Sequence, residues 1–124
     1  MDFLTPPEMR LTLRVLAKLL GYPSAELRAH LPDLREALAG ERALGSARRA
    51  ELEALIESLA RTPALDVEAA YVELFDRGRS TSLHLFEHVH GDSRDRGPAM
   101  VDLAQTYEKA GLYLAPHELP DYLP

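Results

Sequence analysis

The residues best equipped for chemistry lie between Phe75 and Gly97, in FDRGRSTSLHLFEHVHGDSRDRG, where three histidines and four arginines alternate with acids around a short apolar stripe. His84 and His88 are four apart. On a helix their imidazoles would share a face, and two ring nitrogens can converge on a metal with Asp92 as a further ligand. The order of a zinc protease is missing, however: Glu87 directly precedes His88, no Glu follows His84, and Asp92 would have to reach back past a glycine turn. Ser82 has a hydroxyl but no strand-to-helix elbow around it, and neighbours on one helix point apart. The glycines at 78, 91 and 97 form no phosphate-binding loop. Two readings stay open: a metal-binding hydrolase or regulator built on His84, His88 and Asp92, or histidines that line a wet helix face and suit its carboxyl-terminal dipole.

The arginines fit a different task. Arg77 and Arg79 straddle Gly78, and Arg94 and Arg96 straddle Asp95. Guanidinium forks bind carboxylates in fixed geometry, so such pairs staple loops together. Just upstream, Tyr71, Glu73, Leu74, Phe75 and Asp76 mix aromatic, aliphatic and acidic groups, the composition of a groove with an oily floor and charged edges.

The elements that must position these residues read as helices. Thr5, Pro6 and Glu8 predict a cap, a first-turn proline and a capping-box acid for a helix ending at Gly21. That helix is apolar on most sides, with Arg10, Arg14 and Lys18 as a thin polar line, and is expected inside a bundle. Helices are expected over about 24–30, 32–39 and, capped by Ser46, to about 61. Asp66 is the expected cap of the next, with Val67, Tyr71, Leu74 and Phe75 inward. Ser80 or Thr81 is expected to start another that carries Leu83, Leu85, Phe86 and Val89 and ends at His90-Gly91, and Pro98 is expected in the first turn of the last, which runs to Ala110 and which Gly111 closes. No stretch alternates with period two. The expectation is one all-α domain over 1–124, a compact bundle of about six helices. The terminal LPDYLP carries Leu119, Tyr122 and Leu123, which are apolar enough to want a packing partner.

With 124 residues, 46% of them hydrophobic and 27% charged, the composition is globular. There is no cysteine, which excludes thiolate chemistry and fits a reducing compartment. No window has the apolar length of a membrane span, and the opening MDFLTPPEMR is not a secretory leader, so cytoplasm is the expected location. The net charge of −6 falls entirely within residues 63–124. That disfavours nucleic acid and favours a cationic partner.

The stretch from Tyr71 to Pro124 closely resembles the nitrate reductase molybdenum cofactor assembly chaperones, the NarJ family, within the all-helical molybdoenzyme chaperones similar to TorD and DmsD. The features that carry the resemblance are Tyr71, Leu74-Phe75-Asp76, Gly78-Arg79 with Thr81-Ser82-Leu83, His90-Gly91-Asp92-Ser93-Arg94, Arg96-Gly97, Tyr107, Gly111 and the final Leu119-Pro120-Asp121-Tyr122-Leu123-Pro124. Residues 1–70 match more loosely, through an early helix that ends LLGYP. The resemblance implies a non-enzyme that binds the amino-terminal, leader-like segment of the respiratory nitrate reductase alpha subunit. It would keep the apoenzyme competent for molybdenum cofactor insertion and membrane assembly. The molybdenum cofactor and iron–sulfur clusters belong to the client, and this chain is expected to hold no cofactor or metal of its own. Family members run longer, so the resemblance implies either a core trimmed of their last helices or a shortened form, and an exposed face would then be expected to be covered in a homodimer or by helix exchange.

On that footing the expected peptide-binding residues are Tyr71, Leu74 and Phe75 near the floor and Glu73, Asp76, Glu87 and Asp92 as electrostatic contacts. Gly78, Arg79, His90, Gly91 and Arg94 are expected to shape the loops.

Overall fold

In the computed structural model the described residues are 7–77 and 79–124. The expected cap Thr5, Pro6, Gly78 and the side chain of Arg79 lie outside them. The described residues form seven α-helices: α1 (Pro7–Leu20), α2 (Ala25–Ala29), α3 (Leu31–Ala39), α4 (Ser46–Arg61), α5 (Ala64–Tyr71), α6 (Leu85–Val89) and α7 (Arg96–Lys109). A π-helical turn (Val72–Asp76) continues α5, and a 3-10 turn (Arg79–Thr81) follows. One isolated antiparallel bridge, His84 to Tyr122, is the sole β feature among the described residues. The chain is all-α, and no helix among the described residues is long and apolar enough to cross a membrane. It divides into two compact units, Met1–Glu73 with Pro124, and Leu74–Leu123.

In the first unit, α3 is the hub that α1, α2 and α4 pack against. Its apolar spacing puts Leu31 and Leu38 inward, where they meet Ile56 of α4, with Leu19, Leu34, Leu44, Leu52 and Leu59 around them. Fully burying such a side chain is worth about 1.5–3 kcal/mol, so this cluster is the main source of the unit's stability. Local signals set the ends. The Ser24 hydroxyl accepts the Leu27 N–H at 3.1 Å and caps α2. Arg28 donates to the Thr62 carbonyl at 2.8 Å, satisfying the chain where α4 stops.

Three expectations change here. Ser46 is the first residue of α4 and Gly45 holds the cap position. The α5 helix begins at Ala64 after Pro63, two residues before the expected cap Asp66, because Pro63 supplies the extended turn itself and Asp66 serves in the first turn. Finally, α1 is not inside the bundle. Its Thr12 and Val15 are buried, but Met9, Leu11 and Leu13 are exposed.

A buried carboxylate holds α1 to the segment after α3. Glu41 accepts the Thr12 N–H at 2.6 Å, the Thr12 hydroxyl at 2.7 Å and the Leu11 N–H at 3.1 Å. Burial alone would raise its pKa, but the Thr12 hydroxyl and the two backbone donors favour the charged form and bring it below the usual glutamate value. A carboxylate with a depressed folded pKa stabilises the fold above its unfolded pKa, and that stability is lost as the pH falls through the folded value. Thermal melts on acidification should therefore fall more steeply for the wild type than for Glu41→Gln, which has no such proton to take up. Parallel curves would contradict this role.

The second unit has a thinner interior, with Asp121 its only fully buried residue among those described. Left-handed glycines close both its helices. Gly91 (φ 54°) donates to the Phe86 carbonyl at the end of α6. After α7, Gly111 (φ 80°) lets Leu112 N–H turn back to the Tyr107 carbonyl at 2.9 Å.

Candidate functional site

The seven expected peptide-binding residues divide between the units: Tyr71 and Glu73 belong to the first, and Leu74, Phe75, Asp76, Glu87 and Asp92 to the second. Four of them, Glu73 to Asp76, lie on the π-helical turn. Such turns are rare, widen the helix by one residue per hydrogen bond and recur at functional sites. Leu74 and Asp76 are exposed there and Phe75 is half-buried. The Thr81 hydroxyl donates to the Leu74 carbonyl and so satisfies one backbone group at the irregular turn.

In the first unit, Tyr71 is held by named partners. Its hydroxyl donates to the Leu20 carbonyl at 2.7 Å, which is one of the free carbonyls at the end of α1. Its ring meets Tyr22 edge-on, with centroids 5.5 Å apart, and the Tyr22 hydroxyl donates to Glu68 at 3.1 Å. Tyr22 also helps line a cavity of about 490 Å³ with Ala17, Lys18, Leu27, His30 and Leu34. None of the seven expected residues lines that cavity, although Tyr71 buttresses its wall through Tyr22.

In the second unit, α6 is built by a distant residue. The buried Asp121 accepts the Phe86 N–H through Oδ2 at 2.9 Å, and its carbonyl accepts the Leu85 N–H at 2.9 Å. Asp121 thus caps α6 from 35 residues away. Leu123 N–H donates to the Leu83 carbonyl at 2.9 Å and the Tyr107 hydroxyl to the Pro120 carbonyl at 3.0 Å, so LPDYLP is pinned along its length. These are hydrogen bonds and not the apolar packing that segment was expected to want. Leu119, Tyr122 and Leu123 keep part of their apolar surface in solvent.

This capping overturns the shared helical face of the histidines. Because the cap acts at Leu85 and Phe86, His84 stays extended before α6 and stacks tilted on Tyr122, with centroids 5.3 Å apart. His88, inside α6, places Nε2 2.8 Å from the Ser82 carbonyl. Among the described residues there is no group of three or more His, Asp or Glu that could hold a metal.

Of the electrostatic candidates, Glu87 sits 4.0 Å from Arg96 with both side chains partly in solvent, a contact too long and too wet to contribute much. Asp92 is exposed in the turn after Gly91. Of the expected loop-shaping residues, Gly91 takes the left-handed conformation at the end of α6 and His90 packs edge-on against Phe86 at 5.0 Å. Arg94 is exposed. The arrangement offers exposed apolar groups near carboxylates on a short, irregular scaffold.

Comparison with known proteins gives these features a context. Residues 21–124 match the family model described as nitrate reductase delta subunit. The chain is 50% identical over 112 residues to the nitrate reductase molybdenum cofactor assembly chaperone NarJ of Escherichia coli K12, covering 90% of this chain and 48% of that protein. It is 64% identical over 67 residues to the probable chaperone of the same kind, NarW, from that organism, covering 54% of this chain and 29% of the relative. The probable NarJ of Bacillus subtilis 168 is 36% identical over 117 residues, covering 94% of this chain and 62% of the relative. The chain spans about half the length of the first of these relatives.

Proposed function

The chain belongs to the nitrate reductase delta subunit family, and from that premise we propose that it is a cytoplasmic assembly chaperone, not an enzyme, for the respiratory nitrate reductase alpha subunit. It binds the amino-terminal, leader-like segment of that subunit and keeps the apoenzyme competent for molybdenum cofactor insertion and membrane assembly. The observation that carries this reading is 50% identity across 112 residues to a protein named as a nitrate reductase molybdenum cofactor assembly chaperone. The charge distribution supports it: a half with a net charge of −6 attracts an amphipathic segment with basic residues.

On this reading Leu74 and Phe75 meet the apolar side of the segment, and Glu73, Asp76, Glu87 and Asp92 steer its cations. Tyr71, within the first unit, fixes the end of α1. Contacts of this kind are screened by salt. The double charge reversal Glu87→Lys/Asp92→Lys should weaken binding of a synthetic alpha-subunit amino-terminal peptide about tenfold at low salt, on the order of 1.4 kcal/mol. The difference between variant and wild type should shrink as salt is raised. Equal affinities at low salt would remove both carboxylates from the site.

A further inference from the structure

The outer face of α1 is unexplained by capture of a basic segment. Arg10, Arg14 and Lys18 stand at successive i,i+4 positions and are all exposed, Lys18 also lining the cavity that Tyr22, Glu26 and Asp33 line. None of their side chains makes an ion pair or hydrogen bond among the described residues, in a chain with 20 acids and 14 Lys and Arg. Like charges at i,i+4 each destabilise a helix, and no acid lies three or four residues from any of the three. By contrast, α4 pairs Arg48 with Glu51 and Arg61 with Glu57 at just such spacings.

Beside the basic row on α1 runs an uncovered apolar stripe. At about 100° per residue, Met9 and Leu13 fall on the arc next to Arg10 and Arg14, and Thr12, Val15 and Leu19, with half-buried Leu16 at its edge, on the arc that faces the core. Met9 is 37% and Leu13 43% exposed. An apolar stripe flanked by a row of cations that make no ion pair among the described residues is complementary to a helix with an apolar stripe flanked by carboxylates.

We propose that this face of α1 docks an acidic amphipathic helix of a partner protein, a second surface opposite in sign to the one that takes the client's leader. Size decides between such a helix and an anionic membrane. Residues 1–73 hold twelve acids and nine Lys and Arg, a net charge of −3. A broad anionic sheet would be repelled by that excess within the Debye length of about 8 Å. A helix about 10–12 Å across meets only the row and the stripe.

The test titrates the full chain with a labelled synthetic helix carrying Leu at i, i+3, i+4 and i+7 and Glu along one flank, read by fluorescence anisotropy at low salt. The same helix with Lys for Glu, and phosphatidylserine vesicles, are run in parallel. Saturable binding of the acidic helix, at least tenfold tighter than of the basic one, is expected. It should be lost in Arg10→Glu/Arg14→Glu/Lys18→Glu and weakened in Met9→Gln/Leu13→Gln, with circular dichroism of both variants unchanged. Amide shifts confined to α1 would locate the complex should a variant fail to fold. The proposal is overturned by no saturation, by equal binding of the two helices, by shifts elsewhere in the chain, or by binding to the vesicles alone.

Discussion

Truncating Leu38 to alanine is expected to destabilise the protein by about 2–5 kcal/mol, the range for removing a fully buried leucine from a packed core. Leu38 is 1% exposed and touches the Leu31 and Ile56 cluster that joins α3 to α4. Since α3 is also the hub for α1 and α2, the cavity left behind loosens the whole first unit. Urea denaturation should show the midpoint falling with little change in slope. Ile56→Val, which removes one methylene at the same cluster, should cost only about 0.5–1.5 kcal/mol. A Leu38→Ala protein as stable as the wild type would mean that the core lies elsewhere.

The second large effect is expected at Asp121. Its Oδ2 caps α6, while the buried Oδ1 has no hydrogen-bond partner among the described residues. Asp121→Ala leaves the Phe86 N–H without an acceptor inside the fold, at a cost of about 1–3 kcal/mol. Asp121→Asn keeps an acceptor oxygen for Phe86 and should recover most of that loss. The location of the effect is more telling than its size. Hydrogen exchange should quicken at Leu85, Phe86 and Leu123, whose amides the tail holds or is held by, and stay unchanged around Leu38. Uniform acceleration across the chain would contradict a local capping role.

Local chemistry made much of this fold legible. Gly21 follows the end of α1, Ser24 caps the start of α2, Gly40 marks the end of α3 and Gly111 the end of α7, because caps and left-handed turns depend on residues within a turn of the boundary. Features that depend on distant partners were not legible. Nothing in LHLFEH says that its helix starts only at Leu85, because the group that decides this is a carboxylate 35 residues later. Nothing in GERALG marks Glu41 as a buried tie, because its bonds to Leu11 and Thr12 span about thirty positions. The π-helical turn under Glu73–Asp76 has no period-based signature, since α5 simply runs on into it. The apolar richness of α1 pointed inward, yet part of it faces solvent, because one helix cannot be surrounded when only α3 packs broadly against it.

The family resemblance and the residue chemistry meet at one claim: the exposed apolar and acidic groups around the π-helical turn and α6 grip a basic, amphipathic end of the client. The most direct measurement is a calorimetric titration of the chain with a peptide from the amino terminus of the respiratory nitrate reductase alpha subunit, at low and at physiological salt. The account predicts saturable heat at one site, with affinity falling as salt rises. Absence of saturable heat at low salt, or binding wholly indifferent to salt, would contradict it.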